Sequence, residues 1–177
     1  MLGGHLLTFQ TTKFLEAAIA EAEKCTPVPT AFCVGCVLVV PTPGNPDKQV
    51  ILATGYSREL PGNTHAEANA IEKARNLSKT QLVDLLGVQN PPSIDDLLTT
   101  ADVYTTMEPC SIRTSGLSPC ANLLIDTHVK RCMIGTGEPL DFVQCEGAQK
   151  LTDSGIEVIY IEGYAERCLQ VARKGRE

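Results

Sequence analysis

Apolar positions recur every three or four residues near the start of the chain. In the segment 11–25, charged and polar residues lie between them and would occupy the opposite side of a helix. The apolar positions are Phe14, Leu15, Ala18, Ile19 and Ala22. This spacing predicts an amphipathic helix.

The helical period is followed by two apolar runs that favour strands. Residues 35–40 and 50–55 are apolar, and the first run is rich in β-branched side chains. Residues 41–48 between them are rich in Pro, Gly, Asn and Asp, which favour turns and loops. The pattern predicts an antiparallel hairpin.

Helical and strand-like segments alternate through the rest of the chain. A helical period returns over 65–76, with Thr64 placed to act as its N-cap. Further helices are predicted over 118–126, 147–154 and 164–174, and further strands over 102–106, 131–135 and 156–161. The segment 78–100 has Leu-containing pieces on both sides of a Pro-Pro pair, and we expect it to be a peripheral insertion.

The order of these elements predicts an α/β fold. A leading helix is followed by β-β-α-β-α-β-α-β, which implies a three-layer α/β/α sandwich around a central mixed five-stranded sheet. A chain of 177 residues is long enough to close one sizeable core, so we expect a single domain over 1–177.

Charge and hydropathy narrow the classes of partner. Fifteen Lys+Arg against 21 Asp+Glu give a formal net charge of −6, which lacks the positive field of a protein that binds a phosphate backbone. No apolar stretch reaches the roughly 18 to 20 residues of a membrane span, and the amino terminus lacks a secretory pattern. We therefore expect a cytoplasmic protein that binds neither nucleic acid nor membrane.

Eight cysteines could suggest a disulfide framework, but that framework is typical of short secreted chains with weak cores. We expect mostly free thiols. Six of them lie in or beside apolar segments, where a buried cysteine behaves as a small hydrophobic residue. These are Cys25, Cys33, Cys36, Cys132, Cys145 and Cys168.

The remaining two cysteines, Cys110 and Cys120, each follow a proline, and His65 and Glu67 lie at the start of a predicted helix. One imidazole and two thiolates would give a zinc ion three protein ligands and leave the fourth position open for water. Glu67 would then be the general acid and base. The signature H-x-E with a later P-C-x-x-C is typical of zinc deaminases, but here nine residues, not two, separate the cysteines.

The long spacing places the two cysteines at the ends of different elements. Ser118 is expected to be an N-cap, Pro119 the first helical residue and Cys120 a ligand at the positive end of the helix, where the pKa of a thiol falls. Cys110 is expected at the end of a strand. The loop 111–118 would then be anchored at both ends beside the metal, where it can contact a substrate.

Two other interpretations of these residues remain open. Thr64-x-x-Glu67 also fits a capping box, in which the carboxylate bonds the N-cap amide. A fourth protein ligand would instead make a closed, purely structural zinc site that could not activate water. The available fourth ligands are Cys132, His128 and Cys145.

Several of these motifs together resemble the pyrimidine deaminase of riboflavin biosynthesis. They are His65-Ala66-Glu67, Met107-Glu108-Pro109-Cys110-Ser111, Pro119-Cys120 and the strand Val34-Gly35-Cys36-Val37-Leu38-Val39, within residues 10–161. The lone domain and Thr105-Thr106-Met107-Glu108 are most similar to the fungal enzyme. The resemblance implies a cytidine-deaminase-like fold, Zn²⁺, a homodimer, and deamination of 2,5-diamino-6-ribitylamino-4(3H)-pyrimidinone 5'-phosphate.

The substrate contacts cannot be transferred from the bacterial relatives. Those place Pro-Asn-Pro and a histidine where this chain has Thr30-Ala31-Phe32 and Ile112-Arg113. A phosphorylated substrate needs a cation and hydroxyl donors, and the loop beside the metal offers Arg113, Thr114 and Ser115. The alternative is a solvated polar loop. Asn63 and Ser57 are candidates to contact the ring or the ribityl group.

Other functions remain possible at this point. A cytosine nucleoside or nucleotide deaminase would need the same zinc and Glu67 but a different pocket. A tRNA adenosine deaminase is disfavoured by the long cysteine spacing and the acidic composition. A catalytically silent, zinc-stabilised interaction domain would retain the metal without hydrolysing an amine.

Overall fold

The computed structural model describes residues 3–113, 116–139 and 146–176. Five strands form one sheet: β1 (Gly35–Thr42), β2 (Asn45–Tyr56), β3 (Asp102–Thr105), β4 (Arg131–Ile134) and β5 (Glu157–Tyr160). Their order is β2-β1-β3-β4-β5. β1 is antiparallel to β2 and β3, while β3, β4 and β5 run parallel. The predicted mixed five-stranded sheet is confirmed.

Helices cover both faces of this sheet. They are α1 (Gly3–Ala22), α2 (Ala66–Arg75), α3 (Lys79–Leu86), α4 (Ile94–Thr99), α5 (Cys120–Asp126), α6 (Gly147–Asp153) and α7 (Ala165–Ala172). Side chains of α1 and α7 share one buried cluster with the sheet, and side chains of α2 to α6 share the other. The three-layer arrangement follows from these two clusters.

The continuous apolar run of β1 results from burial on both faces. Cys36 and Leu38 pack in the cluster with α2, whereas Val37 and Val39 pack in the cluster with α1. Because successive side chains of a strand point to opposite faces, a strand between two helical layers needs apolar residues at every position.

The hairpin is longer than the predicted one. Residues 41–48 were expected to form a loop, but β1 continues to Thr42 and β2 begins at Asn45. The turn contains Gly44, whose φ of 78° is in the left-handed region that glycine adopts easily. Residues 45–48 are exposed, so their polar composition reflects solvent contact. Asn45 pairs with Thr42, and the register then shifts so that Gln49 pairs with Pro41.

The segment 78–100, expected to be a peripheral insertion, folds as α3 and α4. Ser78 forms a capping box with Gln81 at the start of α3, and the Ser93 hydroxyl accepts a hydrogen bond from the Asp96 amide at the start of α4. Four leucines of this segment are part of the α2-side core: Leu82, Leu86, Leu97 and Leu98. The segment therefore contributes to the core because its short helices are amphipathic.

Helix α2 lies unusually close to β2. A Cβ atom added at Gly55 would lie 2.6 Å from the amide nitrogen of Ala70 and also overlap the carbonyl oxygen of Ala66. Only glycine permits this separation. Among the residues that the structure describes, no helix is long and apolar enough to cross a membrane.

Candidate active site

The candidate site lies where β3 ends and two helices begin. His65 is at the N-cap position of α2, with φ −99° and ψ 157°, and Cys120 is the first residue of α5. Cys110 follows the end of β3 by five residues. Helix N-termini carry partial positive charge, which favours thiolates and other anions nearby.

The structure brings the three predicted metal ligands together. The His65 Nδ1 atom is 3.5 Å from the Sγ atom of Cys110 and 3.5 Å from that of Cys120. All three ligand atoms lie within 4.8 Å of one another. Zinc bonds of about 2.3 Å to sulfur and 2.0–2.1 Å to nitrogen, at tetrahedral angles, separate such atoms by roughly 3.5 Å. The donor set therefore fits zinc.

Backbone hydrogen bonds close the long loop between the two cysteines. The Cys120 amide donates to the Cys110 Sγ atom at 3.3 Å, and the Ala121 amide donates to the Cys110 carbonyl oxygen at 3.1 Å. The predicted start of α5 is wrong by one residue: Pro119, not Ser118, occupies the cap position, and it provides no side-chain cap. Cys120 is nevertheless at the helix N-terminus.

The two thiols shift each other's pKa in opposite directions. A hydrogen bond from Cys120, assisted by His65, lowers the pKa of Cys110 to about 4. The same interaction and burial raise the pKa of Cys120 well above its usual value. A thiolate is thus available at neutral pH for a metal, and metal binding displaces the remaining proton.

Glu67 lies next to this cluster and is buried. Its side chain is 3% exposed, and the Thr105 hydroxyl donates a hydrogen bond of 2.9 Å to its Oε1 atom. Burial, followed by the charge of Cys110, raises the pKa of Glu67 above its usual value. A carboxyl group with a raised pKa can both accept and return a proton near neutral pH.

Thr64 is not the N-cap of α2, contrary to the prediction. Its hydroxyl donates to the Leu60 carbonyl oxygen at 3.1 Å and accepts from the Asn69 side-chain amide at 3.0 Å. These partners hold Thr64 one residue before the cap position. Glu67 bonds Thr105 and not the Thr64 amide, so the alternative of a capping box is disfavoured.

The proposed fourth ligands for a closed zinc site do not join the cluster within the described ranges. Cys132 is buried in the α2-side core, where burial raises the pKa of its thiol. His128 is exposed just after α5, with a φ of 56°. Cys145 lies outside the described residues. The five described cysteines that were expected to act as small hydrophobic residues are all buried free thiols.

A cavity of about 300 Å³ opens beside the cluster. Its walls come from residues 30–34, from residues 57–67 and from residues 107–113, with Glu138 at the edge. His65, Glu67 and Cys110 line it. Its size and mixed polar and apolar lining suit a small molecule.

The predicted substrate residues occupy different positions relative to this cavity. Arg113 and Asn63 both line it, and the Arg113 guanidinium donates to the Asn63 carbonyl oxygen. Ser57 also lines it, but it is buried, and its hydroxyl accepts from the Val34 amide at 3.1 Å. Thr114 and Ser115 lie outside the described residues.

Sequence reasoning gave no role to three residues around the site. The Thr105 hydroxyl donates a hydrogen bond to Glu67. Arg58 lines the cavity and donates a hydrogen bond to the carbonyl oxygen of Phe32, which lines it from another segment. Glu108 accepts hydrogen bonds of 2.9 Å from the Ala148 amide and from the Tyr160 hydroxyl, so it ties the metal-binding segment to α6 and β5. The one available signal was the position of Thr105 in a predicted strand, just before the segment that contains Cys110.

Comparisons with known proteins agree with this geometry. The chain is 39% identical over 163 residues to the diaminohydroxyphosphoribosylamino-pyrimidine deaminase of Schizosaccharomyces pombe, covering 92% of this chain and 35% of that protein. It thus spans about a third of the length of this curated relative.

Solved structures give the same picture. A C-terminal deletion mutant of Aspergillus oryzae Rib2 deaminase superposes with a TM-score of 0.68 at 32% identity, covering 92% of this chain and 90% of that one. The same deletion mutant in complex with DARIPP superposes with a TM-score of 0.68 at 32% identity, covering 92% of this chain and 89% of that one. Residues 9–136 match the family model described as the cytidine and deoxycytidylate deaminase zinc-binding region, and the chain belongs to this family.

Proposed function

We propose that this chain is a zinc-dependent hydrolytic deaminase of riboflavin biosynthesis. Its substrate would be 2,5-diamino-6-ribitylamino-4(3H)-pyrimidinone 5'-phosphate, from which it would remove the exocyclic amine as ammonia. The observation that carries this proposal is the buried Glu67 beside the His65, Cys110 and Cys120 cluster at one end of a small-molecule cavity. The Schizosaccharomyces pombe and Aspergillus oryzae relatives support the choice of substrate.

His65, Cys110 and Cys120 would hold the zinc ion. Bound there, zinc would lower the pKa of a water molecule to about 7 and so supply a nucleophile at neutral pH. The distances among the three ligand atoms and the lowered pKa of Cys110 support this assignment.

Glu67 would carry the protons. Its carboxylate takes a proton from the attacking water and passes it to the ring nitrogen next to the carbon under attack. It then takes the proton of the hydroxyl group added to that carbon and passes it to the amine, which leaves as ammonia as the carbon–nitrogen bond breaks and the carbonyl forms. The Thr105 hydrogen bond holds one oxygen of this carboxylate, and burial raises its pKa.

Arg113 would recognise the phosphate. Its guanidinium lines the cavity on the metal-binding loop, and its buried Nε atom has no hydrogen-bond partner among the described residues. Guanidinium groups bind phosphate through paired hydrogen bonds. Asn63 lies beside it and would contact the ring or the ribityl chain.

The cellular location and the oligomeric state of this chain stay predictions. The seven described cysteines are free thiols, which is typical of a reducing compartment such as the cytoplasm. The expected homodimer rests on the family resemblance. The net charge of −6 supports a small-molecule substrate over nucleic acid.

The test is ammonia release by purified, zinc-loaded protein. The ribitylaminopyrimidine phosphate should be turned over, and cytidine, deoxycytidylate and a tRNA anticodon stem should not. Turnover of one of the other compounds would preserve the chemistry but refute the proposed substrate. Zinc retention without turnover of any compound would favour the silent interaction domain.

A further inference from the structure

Arg58 has a backbone conformation that is rare for its residue type. Its φ of 65° lies in the left-handed region, which costs free energy for any residue with a Cβ atom. The Arg58 amide donates to the Thr64 carbonyl oxygen at 2.7 Å, which closes the loop that precedes His65. Such strain persists only where surrounding contacts fix the residue.

The side chain of Arg58 provides those contacts. One terminal nitrogen donates to the Phe32 carbonyl oxygen at 3.1 Å, and the other donates to the Thr26 carbonyl oxygen at 2.9 Å. The second nitrogen also lies 3.6 Å from the Cys33 Sγ atom. The planar guanidinium thus binds both ends of the segment 26–33, which a lysine ammonium could not do in the same geometry.

The segment 26–33 forms one wall of the candidate active site. Thr30, Ala31 and Phe32 line the same cavity as His65 and Glu67. Apart from one bridge between Val28 and Ala31, this segment has no strand or helix hydrogen bonding. Its position therefore depends on contacts with other elements.

The C-terminal residues also contact this wall. The Cys33 amide donates to the Ala172 carbonyl oxygen at 3.0 Å, and the Arg176 guanidinium lies 4.2 Å from the centroid of the Phe32 ring. Arg58 is the contact on the cavity side, where it joins the wall directly to the loop that leads into the metal ligand His65.

We propose that Arg58 is a positioning residue that fixes the wall 26–33 relative to His65, and that it thereby determines how tightly the pyrimidine substrate binds. This inference rests on the proposed function. Arg58 acts through the backbone of the wall, so its contribution does not depend on the phosphate group of the substrate. It is distinct in this respect from Arg113.

The test compares Arg58→Lys and Arg58→Met with the unaltered zinc-loaded protein. We expect the KM to rise about tenfold for both the phosphorylated substrate and its dephosphorylated analogue, since charged hydrogen bonds of this kind have that size of effect. The kcat and the zinc content should stay within about twofold. Arg58→Lys keeps the positive charge and the aliphatic part of the side chain but cannot donate to both carbonyl oxygens in the same geometry. It therefore tests the paired hydrogen bonds even if Arg58→Met folds poorly.

Amide hydrogen exchange gives a second readout that needs no turnover. Exchange in residues 26–34 should become faster in both variants, with no change in β3 and β4. Arg167→Met is the matched control, because Arg167 pairs with Glu16 on the opposite layer and is half exposed. It should leave the KM and the exchange of 26–34 unchanged.

Two results would overturn the inference. A KM increase confined to the phosphorylated substrate would show that Arg58 contacts the phosphate itself, a role for which its buried, unpartnered Nε atom would be suited. Unchanged exchange in 26–34 would show that Arg58 does not hold the wall. If the unaltered protein fails to deaminate the substrate, the proposed function fails, while the exchange result still decides whether Arg58 fixes the wall.

Discussion

The hydroxyl of Thr105 donates a hydrogen bond of 2.9 Å to the carboxylate of Glu67, joining the last residue of β3 to the first turn of α2. Both side chains are buried. The Thr105 hydroxyl also lies 3.0 Å from the Met107 carbonyl oxygen, in the segment that leads to Cys110. Glu67, the proposed general base, and the segment that contains Cys110 are therefore positioned by the same strand end.

Replacing Thr105 by valine keeps the shape of the side chain and removes this hydrogen bond. We expect kcat to fall about tenfold to a hundredfold, because a misplaced catalytic group loses that much activity. Zinc content and KM should change little, and Thr105→Ser should restore most of the rate. Steady-state kinetics with metal analysis checks this; an unaltered kcat in Thr105→Val would show that Glu67 needs no such support.

Glu67→Gln should retain one zinc ion per chain but lose turnover by about a hundredfold to ten-thousandfold, because the amide cannot carry the proton. The measurement is ammonia release alongside zinc quantification. Glu72→Gln, on a later turn of the same helix, is the matched control and should be fully active. Normal turnover by Glu67→Gln would remove Glu67 from the mechanism.

Cys120→Ala should abolish tight zinc binding and lower the melting temperature, since metal binding is coupled to folding around its ligands. Cys168→Ala removes an equally buried thiol from the other face of the sheet and should keep the zinc. Metal analysis after dialysis, with thermal unfolding, tests both. A Cys120→Ala protein that binds zinc normally would show that the ligand assignment across the long loop is wrong.

Arg113→Ala should raise the KM for the phosphorylated substrate by about tenfold or more, because a charge-assisted hydrogen bond to the phosphate is lost. The dephosphorylated analogue should be unaffected, and Arg167→Ala should behave as the unaltered protein. Steady-state kinetics on both compounds decides the matter. An equal rise for the two compounds would refute phosphate recognition by Arg113.

Gly55→Ala should displace α2 from β2, since the new methyl group would overlap the backbone of Ala66 and Ala70. We expect a loss of about 1–3 kcal/mol in the free energy of unfolding, together with weaker zinc binding because His65 moves with the helix. Gly137→Ala is the control, where, among the residues that the structure describes, a Cβ atom meets only the Glu108 side chain at 3.7 Å. Denaturant unfolding that gives equal stabilities for the two variants would contradict the close approach of α2.

The sheet and the metal-site residues could be predicted because their signals are local. The two-sided burial of β1 appears as an uninterrupted apolar run, and the candidate ligands are recognisable from residue type and spacing. Thr64 shows where local reasoning fails. Its sequence context fits an N-cap, but Leu60 and Asn69 compete for its hydroxyl and the helix begins later.

Contacts between distant segments explain what the sequence did not reveal. Arg58 meets Thr26 and Phe32 across the cavity, and Thr105 meets Glu67 across the sheet edge. These contacts join residues that are far apart in the sequence, so no motif with a fixed spacing predicts them. The leucines of α3 and α4 were likewise assigned to the periphery because only the folded chain shows which side of a short helix faces the core.

The amides of Cys120 and Ala121 donate hydrogen bonds that join the beginning of α5 directly to Cys110, whatever the sequence between the two cysteines. We therefore expect that residues added to or removed from the intervening segment would leave the two sulfur atoms in place. We expect changes in this one loop to alter which substrate is accepted while the cluster of His65, Cys110 and Cys120 is retained. The same segment is consequently the natural place to graft altered specificity by design.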